Sequence, residues 1–299
     1  MKQETTVSAD CLPPLPLDQV AAPAQRPPAL ACDAHTHIFG PAAVFPYAPD
    51  RTYTPPDAPF EALRALHRKL GISRGVIVQP GCHGYDMSAV LDALAKGHGQ
   101  YRAVALLPST ATAAEVKRLD AAGVRGVRFN FVAHLKNVAW SEVREMARLI
   151  APFGWHLCIH SDRQSLPSLL PLLKQLDIPF VLDHMGRVAA VDGVDGALFR
   201  ELLALRDHRQ AWVKISGIDR ISSSGRRPYD DGRPFVQALV ESMADRLLWG
   251  SDWPHPNVRG DMPNDGELVD IFTQLCPQRA EQERILVSNP QTLYRFDEA

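Results

Sequence analysis

Eight short apolar runs, each separated from the next by a longer stretch of helical periodicity, constrain this chain more than any other feature. They are 30–37 (LACDAHTH), 75–79 (GVIVQ), 102–107 (RAVALL), 123–130 (GVRGVRFN), 156–160 (HLCIH), 180–184 (FVLDH), 211–216 (AWVKIS) and 247–251 (LLWGS). Runs of this length and β-branched content suit parallel strands buried on both faces. The amphipathic segments between them carry helix starts. Asp57 precedes the run to Leu70, Ser141 precedes 142–150 and Ser165 precedes 166–176, each offering a side-chain oxygen to orphan backbone donors. Eight strands alternating with helices predict an α/β fold, a closed (β/α)8 TIM barrel. A doubly wound open sheet would usually have fewer strands and no reason to end so many of them in polar residues.

A chain of 299 residues buries enough surface to need no disulfide or structural metal. One barrel over 30–299 is expected, preceded by an arm over 1–29 that carries Pro13, Pro14, Pro16, Pro23, Pro27 and Pro28. That arm lacks the basic start and apolar stretch of a signal peptide and reads as extended and poorly ordered. An arm wrapping a neighbouring subunit of a homo-oligomer ranks below that reading. The cysteines are odd in number and scattered without a CxxC pair, which fits a reducing cytoplasm. A net charge of -2 without a basic run argues against nucleic acid and anionic membrane surfaces as partners. No apolar stretch approaches a membrane span.

In such a barrel the reaction centre lies where the strands end. Here the first run ends in His35 and His37, the fourth in Arg128 and Asn130, the fifth in His160 and the sixth in Asp183 and His184, while the eighth leads into Asp252. Residues two apart on a strand share a face, so His35 and His37 can present both imidazoles to one point. With His160 and the Asp252 carboxylate they form a ligand set for one divalent ion, zinc first and manganese second. Such an ion would bring bound water to ionise near neutral pH. Two connections, 39–56 and 217–234, are long enough to act as lids or substrate contacts. The second is cationic through Arg220, Arg226, Arg227 and Arg233, and Arg220 is a candidate for anion recognition. Lys214, inside the seventh run, should form a salt bridge within the barrel. His67, His98 and His208 read as surface residues, His83 and His134 as candidates for the pocket wall, and His255 as a support for the turn after Asp252.

Together these segments make the chain similar to the amidohydrolase superfamily, and within it to the 2-pyrone-4,6-dicarboxylate hydrolase-like and 4-sulfomuconolactone hydrolase-like lactonases. The resemblance rests on CDAHTHIFGP, FPYAPDRTYTPPDAP, VIVQPGCHG, AGVRGVRFNFV, LDHMGR, KISG and WGSDWPHPN, which extend from the first strand to the eighth. It implies ring opening of a small anionic lactone by water, in the catabolism of aromatic compounds. Asp252 would be the general base, His35, His37 and His184 would polarise the carbonyl, and Arg128 and Tyr53 would hold a substrate carboxylate. Metal-dependent decarboxylases of aromatic or muconate-type acids and isomerases of sugar-acid lactones share much of this pattern and stand as the alternatives.

Three positions depart from the pyrone-dicarboxylate hydrolases. Gly81 replaces the Ser before CHG, His134 replaces the basic residue after RFNFV, and His160 replaces the Tyr that ends strand five. The first two weaken anion contacts and point to a related carboxylated or sulfonated lactone rather than 2-pyrone-4,6-dicarboxylate itself. The third restores a ligand that metal-dependent superfamily members use, whereas the pyrone-dicarboxylate hydrolases are understood to work without a metal.

Overall fold

A computed structural model describes residues 11–132, 138–258 and 260–297. Eight parallel strands follow one another around a single sheet. They are β1 (Cys32–Thr36), β2 (Arg74–Val78), β3 (Tyr101–Ala105), β4 (Val124–Asn130), β5 (His156–His160), β6 (Phe180–Leu182), β7 (Ala211–Lys214) and β8 (Leu247–Leu248). Helices connect successive strands, giving the (β/α)8 barrel. β8 is only two residues long, so the barrel closes mainly through the chain that follows it. Ala34 N–H donates to Trp249 O at 2.8 Å, Asp252 N–H to His35 O at 2.9 Å and His37 N–H to Trp253 O at 2.7 Å. Gly250 makes that approach feasible, because a Cβ there would lie 2.6 Å from the Cβ of His35.

Two apolar layers hold the barrel. Inside, Cys32, Ala34, Val76, Val78, Val104, Cys158, Val181 and Leu248 pack across the axis. Outside, the helices lay one face on the sheet. In the helix Phe60–Leu70 the buried positions are Phe60, Leu63, Leu66, His67 and Leu70, the spacing of a single helical stripe. Each such leucine contributes about 1.5–3 kcal/mol by leaving water. No helix among the described residues is long and apolar enough to cross a membrane.

Local expectations fared less well than the strand pattern. None of the three expected caps forms. Asp57 instead accepts from Ala42 N–H and the Tyr47 hydroxyl, and the helix starts at Phe60 behind Pro59. Ser141 lies inside the helix Trp140–Ile150, and the Ser165 hydroxyl accepts from Asp162 N–H. His67 is buried rather than superficial, and it meets the Tyr101 hydroxyl at 2.9 Å. The described part of the arm, 11–29, also departs from the poorly ordered segment expected. Ala21 N–H and Ala24 N–H donate to Asn264 and Asp270, Val20 is buried, and Lys69 donates to Leu17 O. Proline removes donors from this segment, but its remaining N–H and C=O groups are enough to fasten it to the barrel wall.

Candidate active site

The strand ends converge on the Asp252 carboxylate. Its Oδ1 lies 3.6 Å from His35 Nε2, 3.5 Å from His37 Nε2 and 3.7 Å from His184 Nε2. Its Oδ2 accepts from Arg220 Nη2 at 2.8 Å and Nε at 3.2 Å. Asp252 has φ 67°, and His184, Met185 and Arg187 also take left-handed conformations. Such backbone is costly for residues other than glycine and tends to persist where surrounding structure enforces it. The turn after β6 swings His184 into the barrel mouth, where its Nδ1 meets the Ser216 hydroxyl at 2.9 Å.

One compact grouping of potential ligands contains His184, which the expected ligand set lacked. His35, His184 and Asp252 bring ligand atoms within 4.8 Å of one another, and all three are buried. His37 adjoins this cluster through Asp252 Oδ1. The His160 Nδ1 is engaged with Asn130 Oδ1 at 3.1 Å, and its ring stands edge-on to His184 with centroids 5.8 Å apart. That bond occupies Nδ1 only, so the structure neither joins His160 to the compact cluster nor removes it from the expected ligand set of His35, His37, His160 and Asp252.

Two observations show that this donor set suits a cation. The His37 Nδ1 lies 2.7 Å from Val78 O, and a carbonyl can only accept, so Nδ1 carries the proton. In the neutral ring Nε2 then turns a lone pair toward the Asp252 carboxylate. In addition, His35 Nε2 is buried without a hydrogen-bond partner. Burial, followed by the charge of Lys214, lowers His35 to about 4. Burial likewise holds His184 well below the usual imidazole range. Both rings are neutral near pH 7, the form that binds metal. Burial alone would raise the Asp252 carboxyl, but its neighbours, His184 and Arg220 foremost, outweigh it and hold the group well below its usual range.

Behind the imidazoles lies a buried charge cluster. Asp183 Oδ1 is 3.1 Å from Lys214 Nζ and 3.3 Å from His35 Nδ1, while Oδ2 accepts from Arg128 Nε at 3.0 Å. Lys214 therefore forms the internal salt bridge expected of it. Arg128 has a protein carboxylate as partner, the ordinary alternative to a purely substrate-binding arginine. Arg220, the candidate for anion recognition, bonds to Asp252 and to Pro256 O and pairs with Asp219 at 3.3 Å. Tyr53 packs edge-on against Phe39, and burial raises its hydroxyl well above the usual phenol range, so it remains a donor. His83 braces the 39–56 connection by accepting from Gly40 N–H, and His255 supports the turn after Asp252 through Asp265 at 3.1 Å. His134 lies outside the described residues. The role of Asp183 as shared partner of Lys214, His35 and Arg128, and Arg220's hold on Asp252, were not foreseen. A charged residue within an apolar strand run, as in FVLDH and AWVKIS, is the signal that could have revealed the Asp183–Lys214 pair.

A family model described as amidohydrolase matches residues 32–296. A 2-pyrone-4,6-dicarboxylate hydrolase of Comamonas testosteroni is 42% identical over 290 residues, covering 93% of this chain and 95% of that protein. A 4-sulfomuconolactone hydrolase of Rhizobium radiobacter is 42% identical over 270 residues, covering 88% of this chain and 89% of that protein. A crystal structure of an Acinetobacter baumannii protein with citric acid bound matches with a TM-score of 0.79 at 27% identity, covering 89% of this chain and 100% of that one.

Proposed function

The chain belongs to the amidohydrolase family, and from that premise we propose that it opens the ring of a carboxylated or sulfonated lactone with water. The observation that carries this reading is the Asp252 carboxylate, with one oxygen among three imidazoles and the other held by Arg220. Relatives named as a 2-pyrone-4,6-dicarboxylate hydrolase and a 4-sulfomuconolactone hydrolase support the substrate class.

In this reading Asp252 removes a proton from water as the water oxygen bonds to the ester carbonyl carbon. The ring C–O bond then breaks, and Asp252 returns the proton to the leaving oxygen. Water is consumed, and one hydroxy acid or its tautomer results. Arg220 fixes Oδ2, leaving Oδ1 directed at the imidazoles. His184, oriented by Ser216, and His37, oriented by Val78 O, face the carbonyl. Arg128, anchored through Nε on Asp183, and the Tyr53 hydroxyl grip an anionic substituent, an arrangement suited to planar oxyanions. Asn130 orients His160 along the same wall, and His134 is retained as a substrate contact on the sequence pattern alone. One divalent ion, zinc first and manganese second, fits His35, His184 and Asp252 with His37 adjacent, and when bound it would supply Lewis acidity.

The anion contacts set a measurable expectation. A lactone carrying a free carboxylate or sulfonate should be turned over with kcat/KM at least about 10-fold above its methyl ester, since a charge-assisted hydrogen bond contributes about 1.5–3 kcal/mol. Arg128→Gln should erase most of that difference by raising KM. Equal kcat/KM for acid and ester in the wild-type enzyme contradicts the assignment of Arg128 and Tyr53.

A further inference from the structure

One buried carboxylate outside the reaction centre touches both halves of it. Asp33 lies on β1, two residues before His35, and its side chain is wholly buried. Its Oδ1 accepts from two backbone donors at once, His35 N–H at 3.1 Å and Ser251 N–H at 3.0 Å. His35 and Asp252, the residue after Ser251, are the two ends of the 3.6 Å contact at the centre of the site. Here the pairing of β1 with β2 also slips between Asp33 and Thr36, and β8 has already ended at Leu248. The side-chain oxygen therefore takes a position that a backbone carbonyl would occupy in a regular ladder.

The second oxygen is supported from outside the barrel. Asp33 Oδ2 lies 3.5 Å from His67 Nε2, and neither atom has a hydrogen-bond partner elsewhere. His67 is steadied in turn by the Tyr101 hydroxyl on β3, 2.9 Å from its Nδ1 and stacked with it. His67 thus links the helix Phe60–Leu70 to the carboxylate beneath the reaction centre.

We infer that Asp33, backed by His67 and Tyr101, is a positioning residue that sets the distance between His35 and Asp252. It touches neither water nor substrate and acts by fixing two backbone N–H groups on one oxygen. This rests on the reading of His35 and Asp252 as the reaction centre, but its geometric core can be tested without any substrate.

Asp33→Ser stops short of both donors, whereas Asp33→Asn keeps an amide oxygen where Oδ1 lies. Amide hydrogen exchange in the wild type and both variants reads the brace directly. The Ser variant should exchange faster in 33–37 and 249–253 than elsewhere, and the Asn variant should match the wild type. Outer partners that orient functional groups are worth about 10- to 100-fold in activity or metal affinity. The Ser variant should therefore lose about that factor in kcat and in zinc affinity measured by chelator competition, with KM within about threefold, and Asn should restore most of it. Unchanged exchange in both segments overturns the inference, as does a Ser variant that keeps wild-type kcat and zinc affinity while only its Tm falls. If Asp33→Ser does not fold, His67→Phe decides: faster exchange in 249–253 supports the brace, and unchanged exchange there overturns it. Failure of the lactone assignment would show as an inactive wild-type enzyme and leave the exchange result standing.

Discussion

Asp252→Asn should lower kcat on the preferred lactone by about 10³–10⁴-fold while leaving KM unchanged or lower. A positioned general acid or base contributes about 10²–10⁴-fold, and here one carboxylate both removes the water proton and returns it to the leaving oxygen. The amide preserves shape and can still meet Arg220, so the loss reports chemistry rather than collapse. Removing a negative charge beside an anionic substrate should not weaken binding, which is why KM is not expected to rise. Steady-state kinetics with stability followed in parallel would check this. A variant within about tenfold of wild-type kcat would place proton transfer on another group.

The second large effect concerns stability. Asp183→Asn should destabilise the fold by about 3–5 kcal/mol, because it leaves Lys214 and Arg128 buried without their shared counter-charge. For a chain of this size that corresponds to a Tm lower by roughly 5–8 °C. Burial works against the Asp183 charge, but Lys214, His35 and Arg128 prevail and keep its folded pKa well below the usual carboxyl value. Its contribution is therefore fully present above the unfolded pKa of about 3.9 and is lost as pH falls through the folded value. The Tm difference between wild type and variant should accordingly be constant from about pH 8 to pH 5 and narrow only below about pH 4. A difference that disappears near neutral pH would mean that Asp183 is not the ionised centre of this cluster. Activity should also fall, since His35 Nδ1 lies against the same carboxylate.

The barrel was legible in the sequence because burial on both faces leaves a strong signal, a short apolar run with fixed polar ends. His35 and Arg128 were legible for the same reason, since a strand fixes the face on which its last residues lie, while His37 follows β1 directly and Asp252 was read from the segment that β8 leads into. His184 was harder to place. β6 ends at Leu182, and the next turn carries left-handed residues that no side-chain periodicity announces. His160 was named as the third imidazole from its place at the end of strand five and from the metal-dependent members of the superfamily, and its Nδ1 meets Asn130. The helix caps failed because Asp57 and Ser165 found partners closer than the helix ends expected for them. His67 was taken for a surface residue because it lies in a helical segment, although its position falls on the buried stripe of that helix. Its buried partners come from β1 and β3, distant in sequence. Arg220 was recognised as a cation near the site, but its bond to Asp252 depends on the path of the 217–234 connection.

The central claim is that water opens the lactone ring, and the mass of the product in ¹⁸O-labelled water tests it most directly. Carboxylated and sulfonated lactones would be incubated with wild-type protein, with and without added zinc, and product and substrate compared by mass spectrometry. The account predicts a product heavier than its lactone by one labelled water, with the label in a carboxylate oxygen. A product of unchanged mass, or one lighter by carbon dioxide, would contradict it.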